Sequence, residues 1–157
     1  MKITLLTVGK TDNNYLSEGL KVYLERLSHY IRFDFIEIQT PAKFKSLNTE
    51  QLKDAEGKLL LKYFETSDMV VLLDEKGKMQ TSEEFAAWLQ KIMNSGTRHL
   101  MFVVGGAFGF SQEVYKTSGG KLSLSPMTFS HQMVRLFFTE QLYRAFTILK
   151  NEPYHNS

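Results

Sequence analysis

Two short runs of uninterrupted apolar residues, Met69-Val70-Val71-Leu72-Leu73 and Leu100-Met101-Phe102-Val103-Val104, leave this chain few folds to adopt. A strand without polar alternation has no face for water. It must lie inside a sheet covered on both sides, which is the usual situation of parallel sheets in α/β proteins. The segment between the runs fits that need. After an expected turn at Asp74 to Lys78, Ser82 opens a helical pattern with Phe85, Trp88, Leu89 and Ile92 on one face, closing near Gly96. That is enough chain for a crossover helix between parallel strands.

The same alternation extends in both directions. Lys2 to Val8 reads as a strand closed by Gly9, and Asp12 or Asn13 can cap a helix carrying Leu16, Leu20, Tyr23, Leu24 and Leu27. Phe33 to Ile38 gives the next strand, ended by Thr40-Pro41. Asn48 or Thr49 starts a helix to about Phe64, with Leu52, Leu59, Leu60 and Tyr63 as its buried set. The stretch Thr40 to Asn48, with a proline and two lysines, is expected to be a mobile loop. Beyond Gly105-Gly106-Ala107-Phe108-Gly109 come a short helix from about Gln112, a strand Lys121 to Leu124, and a final helix from about His131 to Lys150. Strands alternating with helices predict an α/β fold, with a mainly parallel sheet flanked by helices. No repeat, low-complexity tract or linker divides residues 1–157, so a single domain is expected.

Composition narrows the chemistry. With no cysteine among 157 residues, disulfides, thiolate zinc sites and cysteine nucleophiles are excluded. His29 and His99 have no acidic or histidine partner in register, so no metal site is expected. The first apolar run is too short for a signal peptide, and none approaches the ~18–20 residues of a membrane span. A cytoplasmic protein is expected. The formal net charge of +2, without a basic run, permits an RNA partner but does not argue for one.

Ligands of open α/β sheets bind beyond the C-terminal ends of the strands. Three segments occupy such ends: Leu73-Asp74, Gly105 to Gly109, and Leu124-Ser125-Pro126-Met127-Thr128-Phe129. The glycines would let a ligand approach the backbone, yet they fit neither the dinucleotide fingerprint nor a P-loop, and a tight turn explains them equally well. Pro126 forces Ser125 towards an extended conformation, leaving backbone groups free to pair with a nucleobase edge, although a plain connection would look the same. His131 and Arg135 lie four apart, as do Glu140 and Arg144. Their ordinary readings are a polar helix start and an intrahelical ion pair. Glu152-Pro153-Tyr154-His155 reads as a frayed end, except that a proline-fixed Tyr-His pair is unusual there.

In combination these segments resemble one family. Met-Lys-Ile-x-Leu-Leu-x-Val-Gly-Lys at the start, Leu72-Leu73-Asp74-x-x-Gly77-Lys78, Val104-Gly105-Gly106-x-x-Gly109, Leu122-Ser123-Leu124-Ser125-x-Met127-Thr128-Phe129-x-His131, Arg135 with Glu140 to Ala145, and Pro153-Tyr154-His155 follow the order and spacing of the RlmH-type ribosomal RNA methyltransferases. These form a minimal branch of the SPOUT superfamily, and the resemblance spans essentially the whole chain. It implies a C-terminal trefoil knot, in which the last segment threads an earlier loop, a topology that general rules of chain connection would have excluded. It implies S-adenosylmethionine held by Leu73, Gly105 and the loop Leu124, Ser125, Pro126, Met127, Thr128 and Phe129. It further implies a homodimer acting on N3 of a pseudouridine in large-subunit (23S) ribosomal RNA, read within the subunit or the whole ribosome. One departure is that Asn156-Ser157 stands where relatives commonly carry Lys or Arg after the Tyr-His pair.

Under that resemblance His131, Tyr154 and His155 are the groups available to orient the base and take its proton, with Arg135 and Arg144 able to bind phosphate or a base oxygen. Two other readings compete: a non-catalytic RNA-binding module, and an unrelated small nucleotide-binding α/β enzyme. The absence of an aromatic RNA-binding pattern weighs against the first. The second leaves the Ser125-Pro126 loop and the Tyr154-His155 tail unexplained.

Overall fold

A computed structural model describes residues Met1 to Asn156; Ser157 lies outside the described residues. The chain runs β1 (Lys2–Val8), α1 (Asn14–Leu27), β2 (Arg32–Ile38), α2 (Thr49–Phe64), β3 (Met69–Met79), α3 (Ser82–Asn94), β4 (His99–Val104), α4 (Gln112–Thr117), β5 (Gly120–Ser123) and α5 (Met133–Leu149). All strand pairs are parallel, in the order β2-β1-β4-β3-β5. The two uninterrupted apolar runs are neighbours in the middle of this sheet, in register from Met69 opposite Leu100 to Leu73 opposite Val104.

Each strand feeds two cores because successive side chains point to opposite faces. Val71, Leu73, Phe102 and Val104 face a layer built by α1, α3 and α5, where Phe138, Leu142, Ala145 and Phe146 complete the packing. Val70, Leu72, Met101 and Val103 face α2 and α4, against Leu60, Phe64 and Val114. The first layer is the more aromatic. Phe102 meets Phe138 at a centroid distance of 4.5 Å, and Phe85 and Trp88 meet Phe102 edge-on. Reciprocal capping boxes, Asn48 with Gln51 and Thr81 with Glu84, fix where α2 and α3 begin.

The structure adds to the sequence reading in one place and departs from it in two. The Thr40 to Asn48 stretch, expected as a loop, holds a 3₁₀ turn over Ala42–Ser46, in which the Pro41 carbonyl accepts from the Phe44 N–H at 3.0 Å. Asp74 to Lys78 does not end its strand. β3 shifts register there and resumes, so that Leu122 of β5 pairs with both Leu73 and Lys78. Gly77 makes this possible: a Cβ on it would stand 2.7 Å from backbone atoms of Lys121 and Leu122. Finally, α5 starts at Met133, whose N–H is accepted by Ser130 Oγ at 3.1 Å, leaving His131 in the turn before it.

Candidate cofactor and active site

The C-terminal ends of β3, β4 and β5 converge on an open cavity of 340 Å³. Leu73, Val104, Leu122 and Leu124 supply its apolar surface, Gly105 and Gly106 one wall, and Ser125, Met127, Thr128, Phe129, His131 and Val134 another. Of the residues expected to hold a cofactor, only Pro126 is absent from the lining; a proline there restricts the backbone of the preceding Ser125. The loop holds its own shape. Ser123 Oγ donates to the Ser125 carbonyl at 2.8 Å, and Ser125 Oγ accepts from the Met127 N–H at 3.0 Å.

Sequence reasoning missed two contacts at the cavity rim. Thr128 donates to the Glu75 carboxylate, which ties the loop to β3, and Tyr115 of α4 donates to Asp74 of β3. Burial and Asp74 together push the Tyr115 phenol well above its ordinary value, so it stays a donor. Glycine is required on the facing wall. Gly109 has φ +86, and a Cβ on Gly105 would press on the Phe110 ring at 3.1 Å and the Gly109 carbonyl at 3.3 Å. The volume suits a nucleoside-sized ligand, and the aliphatic floor beside the glycine wall suits a purine ring. The residues therefore fit S-adenosylmethionine.

His131 borders the cavity. Its imidazole is held below the ordinary histidine value, first by burial and then by the Arg135 guanidinium, so it is neutral near pH 7. Arg135 itself does not reach the cavity. Its side chain is 0% exposed and points back under β1, where it donates to the Val8 carbonyl at 2.9 Å, the Gly9 carbonyl at 2.9 Å and Thr11 Oγ1 at 3.0 Å. Glu37 stands 3.5 Å away as its counter-charge. In this chain the expected phosphate ligand is instead a tie between α5 and the first strand.

The remaining expected site residues gather elsewhere. Tyr154 donates to Glu140 Oε1 at 2.9 Å and accepts from Tyr23 at 3.3 Å. Arg144 donates to the same Glu140 oxygen at 2.6 Å and to His155 Nδ1 at 3.1 Å, and His155 Nε2 donates to Glu83 at 2.7 Å. These contacts assign His155 the tautomer with the proton on Nε2. The Arg144 guanidinium also lies 4.8 Å over the Tyr154 ring. The tail is thus docked rather than frayed. Burial and the Tyr23 and Glu140 contacts push the Tyr154 hydroxyl well above its usual range, which keeps it protonated.

Val134, which lines the cavity, and Arg144 are ten positions apart along α5, about 15 Å at 1.5 Å per residue. Within a single chain the tail cluster and the cavity are therefore separate. A second groove of 410 Å³ runs between them, bordered by Phe85, Phe129, Phe137, Glu140 and Gln141 and sharing Leu122, Leu124 and Phe129 with the first.

Comparison with known proteins agrees with this anatomy. Residues 1–155 match the family described as "Predicted SPOUT methyltransferase". The "Ribosomal RNA large subunit methyltransferase H" of Christiangramia forsetii is 58% identical over 156 residues, covering 99% of both chains, and its namesake in Flavobacterium psychrophilum is 54% identical with the same coverage. A crystal structure of a probable methyltransferase from Bordetella pertussis Tohama I shares the fold at a TM-score of 0.57, with 10% identity, over 92% of this chain and 95% of that one. A parallel sheet ending in a glycine wall and a pre-proline loop, together with these full-length likenesses, places the chain in the SPOUT methyltransferase family.

Proposed function

We propose that the chain methylates N3 of a pseudouridine in 23S ribosomal RNA, in the cytoplasm where ribosomes are made. The reading is carried by the end-to-end likeness to relatives named for large-subunit ribosomal RNA methylation. S-Adenosylmethionine would lie between the Gly105–Gly106 wall and the 124–129 loop and supply a methyl group activated by its sulfonium. Alignment contributes most of the acceleration of such a displacement, because donor and nucleophile need only be held in line. As the new N–C bond forms and the C–S bond breaks, the N3 proton must leave. Neutral His131 is placed to receive it at the cavity edge. Arg144 and Tyr154 offer donors for a base oxygen or phosphate, and His155 Nδ1 can shuttle a proton once Arg144 turns to RNA.

The distance between cavity and tail supports a homodimer in which one subunit's tail completes the RNA side of the other's cavity. Phe137 and Phe129 stack edge-on at 5.1 Å yet remain 38% and 36% exposed beside the second groove. An aromatic patch of that kind marks a contact site, and a second copy of the chain would cover it. The test is calorimetry followed by product mapping. S-Adenosylmethionine, but not common mononucleotides, should bind, and ribosomes from a strain lacking the gene should gain one methyl group on a pseudouridine. A chain that bound RNA but no S-adenosylmethionine, or bound mononucleotides instead, would overturn the reading.

A further inference from the structure

Directly behind the glycine wall lies a carboxyl group that the proposed reaction does not use. Glu56, on the sheet-facing side of α2, is only 8% exposed, and its Oε1 has no hydrogen-bond partner among the described residues. Its carboxyl packs against the backbone of Gly106: a Cβ there would stand 2.6 Å from Oε1 and 2.7 Å from Oε2. One glycine residue is all that separates this group from the cavity. No cation among the described residues is paired with it. Lys53, one turn earlier on α2, is paired with Glu50 at 2.9 Å. Burial alone pushes the Glu56 carboxyl above its ordinary value. An uncompensated buried carboxylate is a destabilising feature, and an apolar residue would pack there at lower cost.

The geometry points to Glu56 as the group that distinguishes the cationic methyl donor from its neutral product, by placing an unpaired negative charge one residue behind the cavity wall. This rests on S-adenosylmethionine being the cofactor. Methyl transfer converts a sulfonium cation into a neutral thioether and leaves the rest of the molecule unchanged, so shape alone separates the two poorly. A sulfonium across Gly106 favours the ionised form of Glu56 that burial disfavours and is attracted by it, whereas the neutral thioether has no comparable effect. Release of the neutral product is thereby favoured over loss of the donor. Glu56 acts through Gly106 and is a positioning residue of the electrostatic kind, not a catalytic one.

Calorimetry of the full chain and of Glu56→Gln with three ligands tests this. S-Adenosylmethionine carries the sulfonium, sinefungin replaces it with a protonated amine, and S-adenosylhomocysteine has the neutral sulfur. The substitution should weaken the two cations by about tenfold and leave the neutral ligand within about twofold, as expected for one charge acting over roughly 12 Å at an effective dielectric near 20. Equal weakening of all three ligands, or of none, would overturn the inference, because a merely structural Glu56 cannot sort ligands by charge. If Glu56→Gln does not fold, Glu56→Leu carries the same comparison. A parent chain that bound none of the three would overturn the cofactor reading and this inference together. A parent that bound all three, with no change in their ratio on substitution, would overturn only this one.

Discussion

Arg135 and His131 stand four residues apart, and each constrains the other. The guanidinium is anchored by two backbone carbonyls, Thr11 and Glu37, all beneath β1, and its Nε donates to the His131 carbonyl at 3.3 Å. Arg135→Met would leave Glu37 without its counter-charge and four oxygens, on Val8, Gly9, Thr11 and His131, without this donor. It should lower unfolding free energy by about 3–5 kcal/mol, measured by urea titration, the usual cost of breaking a buried charge pair from one side. Arg135→Lys should recover little of this, since a single ammonium cannot span Val8 and Gly9 as the guanidinium fork does. For His131 the sign follows from burial. Its folded value lies below the unfolded one of about 6.5, so the unfolded chain binds the proton more readily. Its contribution to stability is complete above about pH 6.5 and is lost as pH falls through the lower folded value. A nuclear magnetic resonance titration should find the His131 ring changing charge below the ordinary histidine range, and a midpoint at or above that range would refute the burial argument.

α5 does most to position the site, and it was only half legible in the sequence. Its apolar residues announce a helix, but they surround it so broadly that no single face is singled out. Phe138, Leu142 and Phe146 go to the core, while Phe137 is left outside. The tail after α5 read as an end that should fray. It is held because Tyr154 packs edge-on to Tyr143 at 4.7 Å and both Tyr154 and Arg144 converge on Glu140, contacts between residues too far apart in sequence for periodicity to reveal. Glu56 was open to discovery, as it falls in step with Leu52, Leu60 and Phe64 on the buried stripe of α2, where a carboxylate is out of place. Deleting residues after Glu152 should reduce methylation by about two orders of magnitude, the scale of lost acid–base and orienting groups. Affinity for S-adenosylmethionine should stay within about twofold, since no tail residue lines the cavity. Full activity of the shortened chain in a ribosome methylation assay would leave His131 as the sole candidate base.

For the whole molecule, the two apolar runs that predicted a covered parallel sheet are indeed its paired centre, and the strand-end rule located the cavity. The threading implied by the family resemblance has no signature in periodicity, because pattern reports which face is buried and not which segment passes inside which loop. The β3 bulge, which pairs Leu122 with both Leu73 and Lys78, is likewise invisible to pattern. Sedimentation on dilution should show a dimer persisting to nanomolar concentration, and Phe137→Glu should split it by placing a charge in the aromatic patch. A stable active monomer would sink the shared-site reading. The same bulge also bears on the order in which the protein comes into being during translation. The β3 and β4 ends leave the ribosome first and are only two sides of a box; the 124–129 loop, His131 and Val134 close it, and they come from the last quarter of the chain. A prematurely terminated chain lacks one side of the cavity and, with α5, the residues that complete one core, so under the proposed function it could neither hold the methyl donor nor modify RNA. Competence for that proposed reaction arrives only when synthesis is nearly complete.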